Sequence, residues 1–163
     1  MEHKNKFSNI SPNIEALIGR NIHKLPGNPI KIMSDYIQKY FVSLNQDFHI
    51  FNDLSPIVTI ENNFDKLLIP KNHPSRSKSD TYYVNEELVL RTQTSSHQND
   101  LLAKGYKNFL VTGDVYRKDE INKTHYPVFH QMEGVGLIQP GKNPKDELIK
   151  VIYGLVEYLF PNL

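Results

Sequence analysis

The sequence predicts an α+β fold, an antiparallel β-sheet flanked by helices and incomplete at its C-terminal side, on three observations. Two extended runs, Phe109 to Arg117 and Val128 to Ile138, alternate apolar and polar positions and are joined by about ten polar residues, as two strands with a long loop would be. Two stretches that open on proline, at Pro29 and Pro144, instead repeat apolar residues at helical spacing. The composition, 39% hydrophobic and 23% charged over 163 residues, suits one globular domain with a sizeable core.

The elements follow in order. Asn9-Ile10-Ser11-Pro12 reads as a turn or helix start, with Ser11 as N-cap, Pro12 at the first helical position, and an apolar stripe of Ile14, Leu17 and Ile18 ending at Gly19. Asn28 caps a helix from Pro29 to about Phe41, whose apolar face is Ile30, Met33, Ile37 and Tyr40. Ile57 to Ile60 and Leu67 to Ile69 are short apolar runs broken at Asn62-Asn63. Pro70 and Pro74 then fix the backbone direction around His73, because proline's φ is preset, and Ser75 to Asp80 reads as a flexible loop. Thr81 to Val84 and Leu88 to Leu90 flank Asn85-Glu86-Glu87 as a second hairpin, followed by a helix from Ser95 to Lys104. Asn143-Pro144 with Asp146 and Glu147 opens a last amphipathic helix through Leu148, Ile152, Leu155 and Leu159, which Pro161 stops.

Several function classes are excluded. A formal charge of +1 argues against a broad basic surface for nucleic acid, so any RNA contact is local or lies on other sequence. The absence of cysteine removes disulfides, thiolate metal sites and cysteine nucleophiles. No apolar run reaches the length of a membrane span, and the opening Met1 to Lys6 lacks the apolar core of a secretory signal. Of seven histidines, His125 and His130 stand five apart on a loop and a strand, with no helical two-histidine spacing, so no tightly bound protein metal is expected.

The chemistry concentrates in the long hairpin. Alternation places Val115 and Arg117 on one side of the first strand and Phe129, Gln131 and Glu133 on one side of the second. If these sides coincide, a guanidinium fork suited to phosphate or carboxylate meets an amide and an acid suited to an ammonium group. The plainer reading makes Gln131 and Glu133 the wet side of a half-buried strand. Likewise Thr94, Ser95 and Ser96 either present donors to an anion at the mouth of a helix or serve only as its cap.

The run Arg117-x-Asp119-Glu120-Ile121-x-x-Thr124-His125-x-Pro127-x-Phe129-His130-Gln131-x-Glu133-Gly134 resembles motif 2 of the class II aminoacyl-tRNA synthetases, in its phenylalanyl-tRNA synthetase form. The Pro29 helix and the segment from Phe64 to Arg76 are similar to that family's motif 1. Ser95-x-His97-Gln98 is similar to the amino-acid-binding loop of the organellar, monomeric branch, with Gln93 where relatives carry His or Gln. The resemblance implies ATP-dependent activation of phenylalanine to an adenylate and transfer to tRNA(Phe). It implies Arg117 as the catalytic residue, holding the α-phosphate and the incoming carboxylate. Asp119, Thr124, His125, Tyr126 and Phe129 would join Arg117 around ATP, which brings its own Mg²⁺. Gln93, Ser95, Ser96, His97, Gln98, Gln131, Met132 and Glu133 would line the amino-acid site, with Met132 contributing main chain.

The likeness covers motifs 1 and 2 only, so residues 1–163 are expected to be a partial catalytic domain, without motif 3 or the C-terminal anticodon-binding domain. Weak or no aminoacylation is expected of this chain alone. A mitochondrial matrix or plastid setting is expected over the cytoplasm. Two other classes stay open: a non-catalytic synthetase-like binding or regulatory module, and a different adenylate-forming ligase.

Overall fold

The computed structural model describes residues 7–44 and 47–162, so Met1 to Lys6 lie outside the described residues. The chain begins with helix α1 (Pro12–Glu15), whose first turn is capped by Ser11 as expected, and a 3₁₀ turn (Ile22–Lys24). Helix α2 (Pro29–Leu44) runs almost a turn beyond the expected end, since nothing before Leu44 breaks it. Strand β1 (His49–Phe51) and strand β2 (Ile57–Thr59) follow. Thr59 caps helix α3 (Ile60–Asn63), accepting from the Asn62 N–H at 3.0 Å, so Asn62-Asn63 is helical rather than a break. Strand β3 (Leu88–Leu90) and helix α4 (Gln98–Ala103) precede the two long strands β4 (Asn108–Tyr116) and β5 (Val128–Gly136), and helix α5 (Pro144–Leu159) closes the chain.

The main sheet has the order β1-β4-β5. The β4–β5 pair is antiparallel over its whole length, from Asn108 opposite Gly136 to Tyr116 opposite Val128. At its other edge the sheet departs from the expected antiparallel pattern, because β1 pairs parallel to β4. A parallel neighbour needs a crossover, and here β2, β3 and α4 supply it, which a strand-by-strand reading of short runs does not reveal. Strand β3 also changes partner: it pairs antiparallel with β2, and meets Tyr82 to Val84 through the Tyr83–Val89 bridge and single ladder bonds.

The centre of the fold is β4, whose Phe109, Leu110, Val111, Val115 and Tyr116 are all buried. Below its N-terminal half, Leu101, Phe109 and Val111 pack with Phe51, Leu54 and Tyr106; at its other end Tyr116 packs with Ile14, Tyr82 and Leu90. Ser75 to Asp80, expected to be flexible, is tied at Lys78 and at Asp80. Lys78 Nζ donates to the Phe7 carbonyl at 2.8 Å, and the Lys118 N–H donates to the Asp80 carbonyl at 2.8 Å. Helix α5 lies on α2, with the Tyr40 hydroxyl donating to the Val151 carbonyl at 2.9 Å.

Candidate functional site

The strand register decides whether the two functional sides coincide. Val111 lies opposite Glu133, Gly113 opposite Gln131 and Val115 opposite Phe129, so the odd-numbered residues of β4 and β5 share one face. Arg117 continues that side one residue beyond β4, its N–H donating to the Pro127 carbonyl at 2.9 Å. Its guanidinium carbon sits 5.3 Å from the centre of the Phe129 ring, and its Nε donates to the Thr92 carbonyl at 3.1 Å. The guanidinium is therefore held by a ring on β5 and a carbonyl from the β3–α4 connection, while its terminal nitrogens stay available.

Gln131 and Glu133 are linked to each other and to the 3₁₀ turn Thr94–His97. Gln131 Nε2 donates to Glu133 Oε1 at 3.2 Å, and Gln131 Oε1 accepts from the Thr94 N–H at 3.2 Å. Ser95 Oγ donates to Glu133 Oε2 at 2.5 Å. Ser95 is thus no helix cap. The helical segment expected from Ser95 to Lys104 divides into this 3₁₀ turn and α4, and the turn points Ser95 at the acid on β5.

Two cavities open side by side on this face. One, of about 270 Å³, is lined by Thr94, Ser95, Gln98, Val111 and Glu133; the other, of about 330 Å³, by Thr92, Gln93, Arg117, Asp119 and Asp80 among others. Residues 92 to 95 form the ridge between them. One cavity is acidic and rich in amide and hydroxyl groups, and the other carries a guanidinium.

Several expected site residues do not line the cavity at Glu133, Gln93 lining the one at Arg117 instead. Ser96 is buried and its hydroxyl donates back to the Gln93 carbonyl at 2.9 Å, while Gln93 Nε2 donates to the Asn63 carbonyl at 3.0 Å. Met132 pairs with Thr112 and belongs to the opposite face. Thr124, His125 and Tyr126 are exposed, on a turn organised by Asn122, whose Oδ1 accepts the N–H of Thr124 at 2.9 Å and of His125 at 3.0 Å. His97 faces inward: Arg91 Nη1 approaches its Nε2 at 3.0 Å, and burial first, then the Arg91 charge, lower its pKa to about 4. A neutral imidazole accepting from a guanidinium fixes the turn's geometry and leaves no ring donor at Nε2.

The residues missed by sequence reasoning are those beneath the turn. Arg91 is 1% exposed, and its Nε donates to the Asp114 carbonyl at 2.8 Å while Nη1 reaches the Leu54 carbonyl at 3.3 Å. Its partners are carbonyls and an imidazole rather than a carboxylate, and burial lowers its pKa. Gly113 makes room for it: a Cβ there would stand 1.8 Å from Arg91 Nη2. Asn63, fully buried, accepts the Thr92 N–H and donates to the Thr92 hydroxyl, both at 3.0 Å, fixing the ridge. A glycine inside a strand is the signal that could have pointed here, since it marks a close approach.

Comparison with known proteins extends the likeness. A family model described as tRNA synthetases class II core domain (F) matches residues 12–162. Among curated relatives, phenylalanine–tRNA ligase, chloroplastic/mitochondrial, of Arabidopsis thaliana is 46% identical over 164 residues, covering 94% of this chain and 38% of the relative. The mitochondrial phenylalanine–tRNA ligase of Saccharomyces cerevisiae is 48% identical, covering 78% of this chain and 29% of its own length. The chain thus spans only about a third of the curated relatives it matches. Among solved structures, the pyrrolysyl tRNA synthetase PylSc of Desulfitobacterium hafniense superposes with a TM-score of 0.65 at 15% identity, over 80% of this chain and 46% of that one, which is a likeness of fold.

Proposed function

Because this chain belongs to the class II tRNA synthetase core family, we propose that its two-cavity face binds ATP and phenylalanine and forms phenylalanyl-adenylate, which the whole enzyme transfers to tRNA(Phe). The observation that carries the reading is the continuous polar chain from Thr94 through Gln131 and Glu133 to Ser95, set beside Arg117 on the same sheet face.

The ammonium of phenylalanine goes to the smaller cavity. There Glu133 supplies charge, Gln131 an amide oxygen, and the Ser95 hydroxyl turns from donor to acceptor when the ammonium displaces it from the carboxylate. The amino-acid carboxylate then lies toward the ridge, and Arg117 holds it together with the α-phosphate. In the reaction a carboxylate oxygen attacks the α-phosphorus in line, and the bond to the bridging oxygen of pyrophosphate breaks. No proton has to move. What the residues provide is positioning and a fixed positive charge where negative charge grows, the role described for preorganised electrostatic stabilisation. Mg²⁺ arrives with ATP and neutralises the leaving pyrophosphate. Phe129 is the aromatic platform for adenine, and Asp119, at the lip of the larger cavity, faces its amino group. The exposed Thr124–Tyr126 turn closes over the nucleotide, and Gln93, Ser96 and His97 support the ammonium site from behind.

The names of the plant, yeast and animal relatives support a mitochondrial or plastid setting. Among the described residues no helix is long and apolar enough to cross a membrane. The resemblance to the organellar branch is what supports a monomeric enzyme. Thermal unfolding of this chain with ATP, with phenylalanine and with both tests the reading. Stabilisation by phenylalanine that exceeds that by leucine, and that Glu133→Gln removes, is expected. No shift with either ligand overturns it.

A further inference from the structure

Behind the sheet, on the side opposite Arg117 and Gln131, three side chains from distant parts of the chain meet. Asp114 on β4 and His130 on β5 are cross-strand partners, and His23 comes from the Ile22–Lys24 turn. His23 and Asp114 are 3% and 2% exposed. We propose that His23, Asp114 and His130 form a binding site for a divalent transition-metal ion such as zinc.

The first argument is that each residue directs an unused atom into the same space. His23 Nδ1, Asp114 Oδ1 and His130 Nε2 are buried without a hydrogen-bond partner. His130 Nε2 lies 2.7 Å and His23 Nδ1 3.5 Å from Asp114 Oδ1, yet neither contact has hydrogen-bond alignment. Three orphaned polar atoms in one buried place are costly unless something positive lies among them.

The second argument is distance. The three atoms lie within 4.8 Å of one another, with Asp114 Oδ1 2.7 Å from one imidazole nitrogen and 3.5 Å from the other. With the third separation at that limit, the nearest point equidistant from the three atoms is about 2.4 Å from each, a few tenths of an ångström beyond the ~2.0–2.2 Å at which nitrogen and oxygen ligate zinc. Little side-chain movement is needed.

The third argument is the outer layer. His23 Nε2 is 2.9 Å from the Asn52 carbonyl, which can only accept, so Nε2 carries the proton and Nδ1 presents its lone pair inward. The Asn21 N–H donates to Asp114 Oδ2 at 3.2 Å, leaving Oδ1 for the centre. Such partners orient metal ligands wherever they occur. Two imidazoles and one carboxylate suit zinc, cobalt, nickel or iron(II) and not magnesium or calcium, which take oxygen ligands. This ion is therefore distinct from the magnesium of ATP, and it lies across the sheet from the nucleotide cavity. Bound there, it ties residues 21 to 23 to the strand pair that carries Gln131 and Glu133. The histidine spacing weighed in the sequence pairs His130 with His125, which is on the exposed turn; the fold pairs it with His23 instead.

The test uses the chain free of any histidine tag, stripped with chelator and dialysed against Zn²⁺, with bound metal measured by elemental analysis and Co²⁺ binding followed by visible absorption. About one equivalent of zinc per chain is expected, with affinity reduced by at least about 100-fold in His23→Gln and His130→Gln, as loss of a ligand should exceed loss of an outer partner. His125→Gln should bind as the parent does. Uptake below about a tenth of an equivalent by the parent chain, or uptake undiminished in both His23→Gln and His130→Gln, overturns the proposal. Should either variant fail to fold, the parent's Co²⁺ spectrum decides: ligand-field bands support the site and their absence overturns it. None of these readings depends on ATP or phenylalanine binding.

Discussion

Replacing Gly113 by alanine should be among the most damaging small changes in this chain. The new Cβ would stand 1.8 Å from Arg91 Nη2 and 3.0 Å from its Cζ, so one of the two must move. A guanidinium is ordinarily flexible, but this one is pinned: Nε is on the Asp114 carbonyl at 2.8 Å, and Nη1 lies between the Leu54 carbonyl and His97 Nε2. Displacing it gives up hydrogen bonds from a charged donor, worth about 1.5–3 kcal/mol each, and adds overpacking of about 1–3 kcal/mol. Allowing for partial relaxation, we expect a loss of about 4 kcal/mol, or a melting point lower by about 10 °C for a domain of this size. The assay is thermal and urea unfolding of the parent, Gly113→Ala, Arg91→Met and the double variant. With Arg91 shortened to methionine the alanine meets no guanidinium, so the second substitution should cost less than about 1.5 kcal/mol in that background. A Gly113→Ala melting point within about 2 °C of the parent, or equal costs in both backgrounds, would refute the reasoning.

Further expectations concern the ligand face and pH. Glu133→Gln removes the carboxylate charge that lines the smaller cavity and should weaken phenylalanine binding by about 10- to 100-fold, measured by calorimetry, with little change in melting point. Arg117→Met should abolish stabilisation by ATP while leaving that by phenylalanine largely intact, as thermal shifts would record. His97 titrates at about 4 because burial and then the Arg91 charge disfavour its cation. Its unfolded value is near 6.5, so the unfolded chain binds the extra proton between those limits. Stability from this group is complete above about pH 6.5 and is lost as pH falls toward 4, by up to about 3 kcal/mol. Denaturant titrations from pH 4 to 8 should show that slope, and His97→Asn should flatten it.

Much of the site could be read from alternation alone. Once Phe109 to Arg117 and Val128 to Ile138 are strands, period two puts Arg117, Phe129, Gln131 and Glu133 on matching sides, and an antiparallel register carries them together. Helix starts were as readable, because Ser11 and Asn143 each cap a proline-led turn with a local bond. What stayed hidden depends on contacts far apart in the chain. The parallel β1–β4 pairing joins His49 to Phe109, and no local pattern records it. The same holds for β3, which keeps the expected contact with the Thr81 to Val84 run but also pairs with β2 from before α3. Orientation within a short turn was also beyond spacing arguments: Ser95 points to Glu133, while Ser96 and His97, its neighbours, turn to Gln93 and Arg91. Arg91 itself reads in sequence as the polar end of a strand, and only the Gly113 gap and the Leu54 and Asp114 carbonyls explain why it is buried.

The claim at the centre is that the two adjoining cavities accept one molecule that is nucleotide at one end and amino acid at the other. Calorimetric titration of this chain with a non-hydrolysable phenylalanyl-adenylate analogue measures that directly. One site is predicted, bound more tightly than ATP or phenylalanine alone and weakened by both Arg117→Met and Glu133→Gln. Binding no tighter than that of the separate ligands, or unaffected by either substitution, would contradict it.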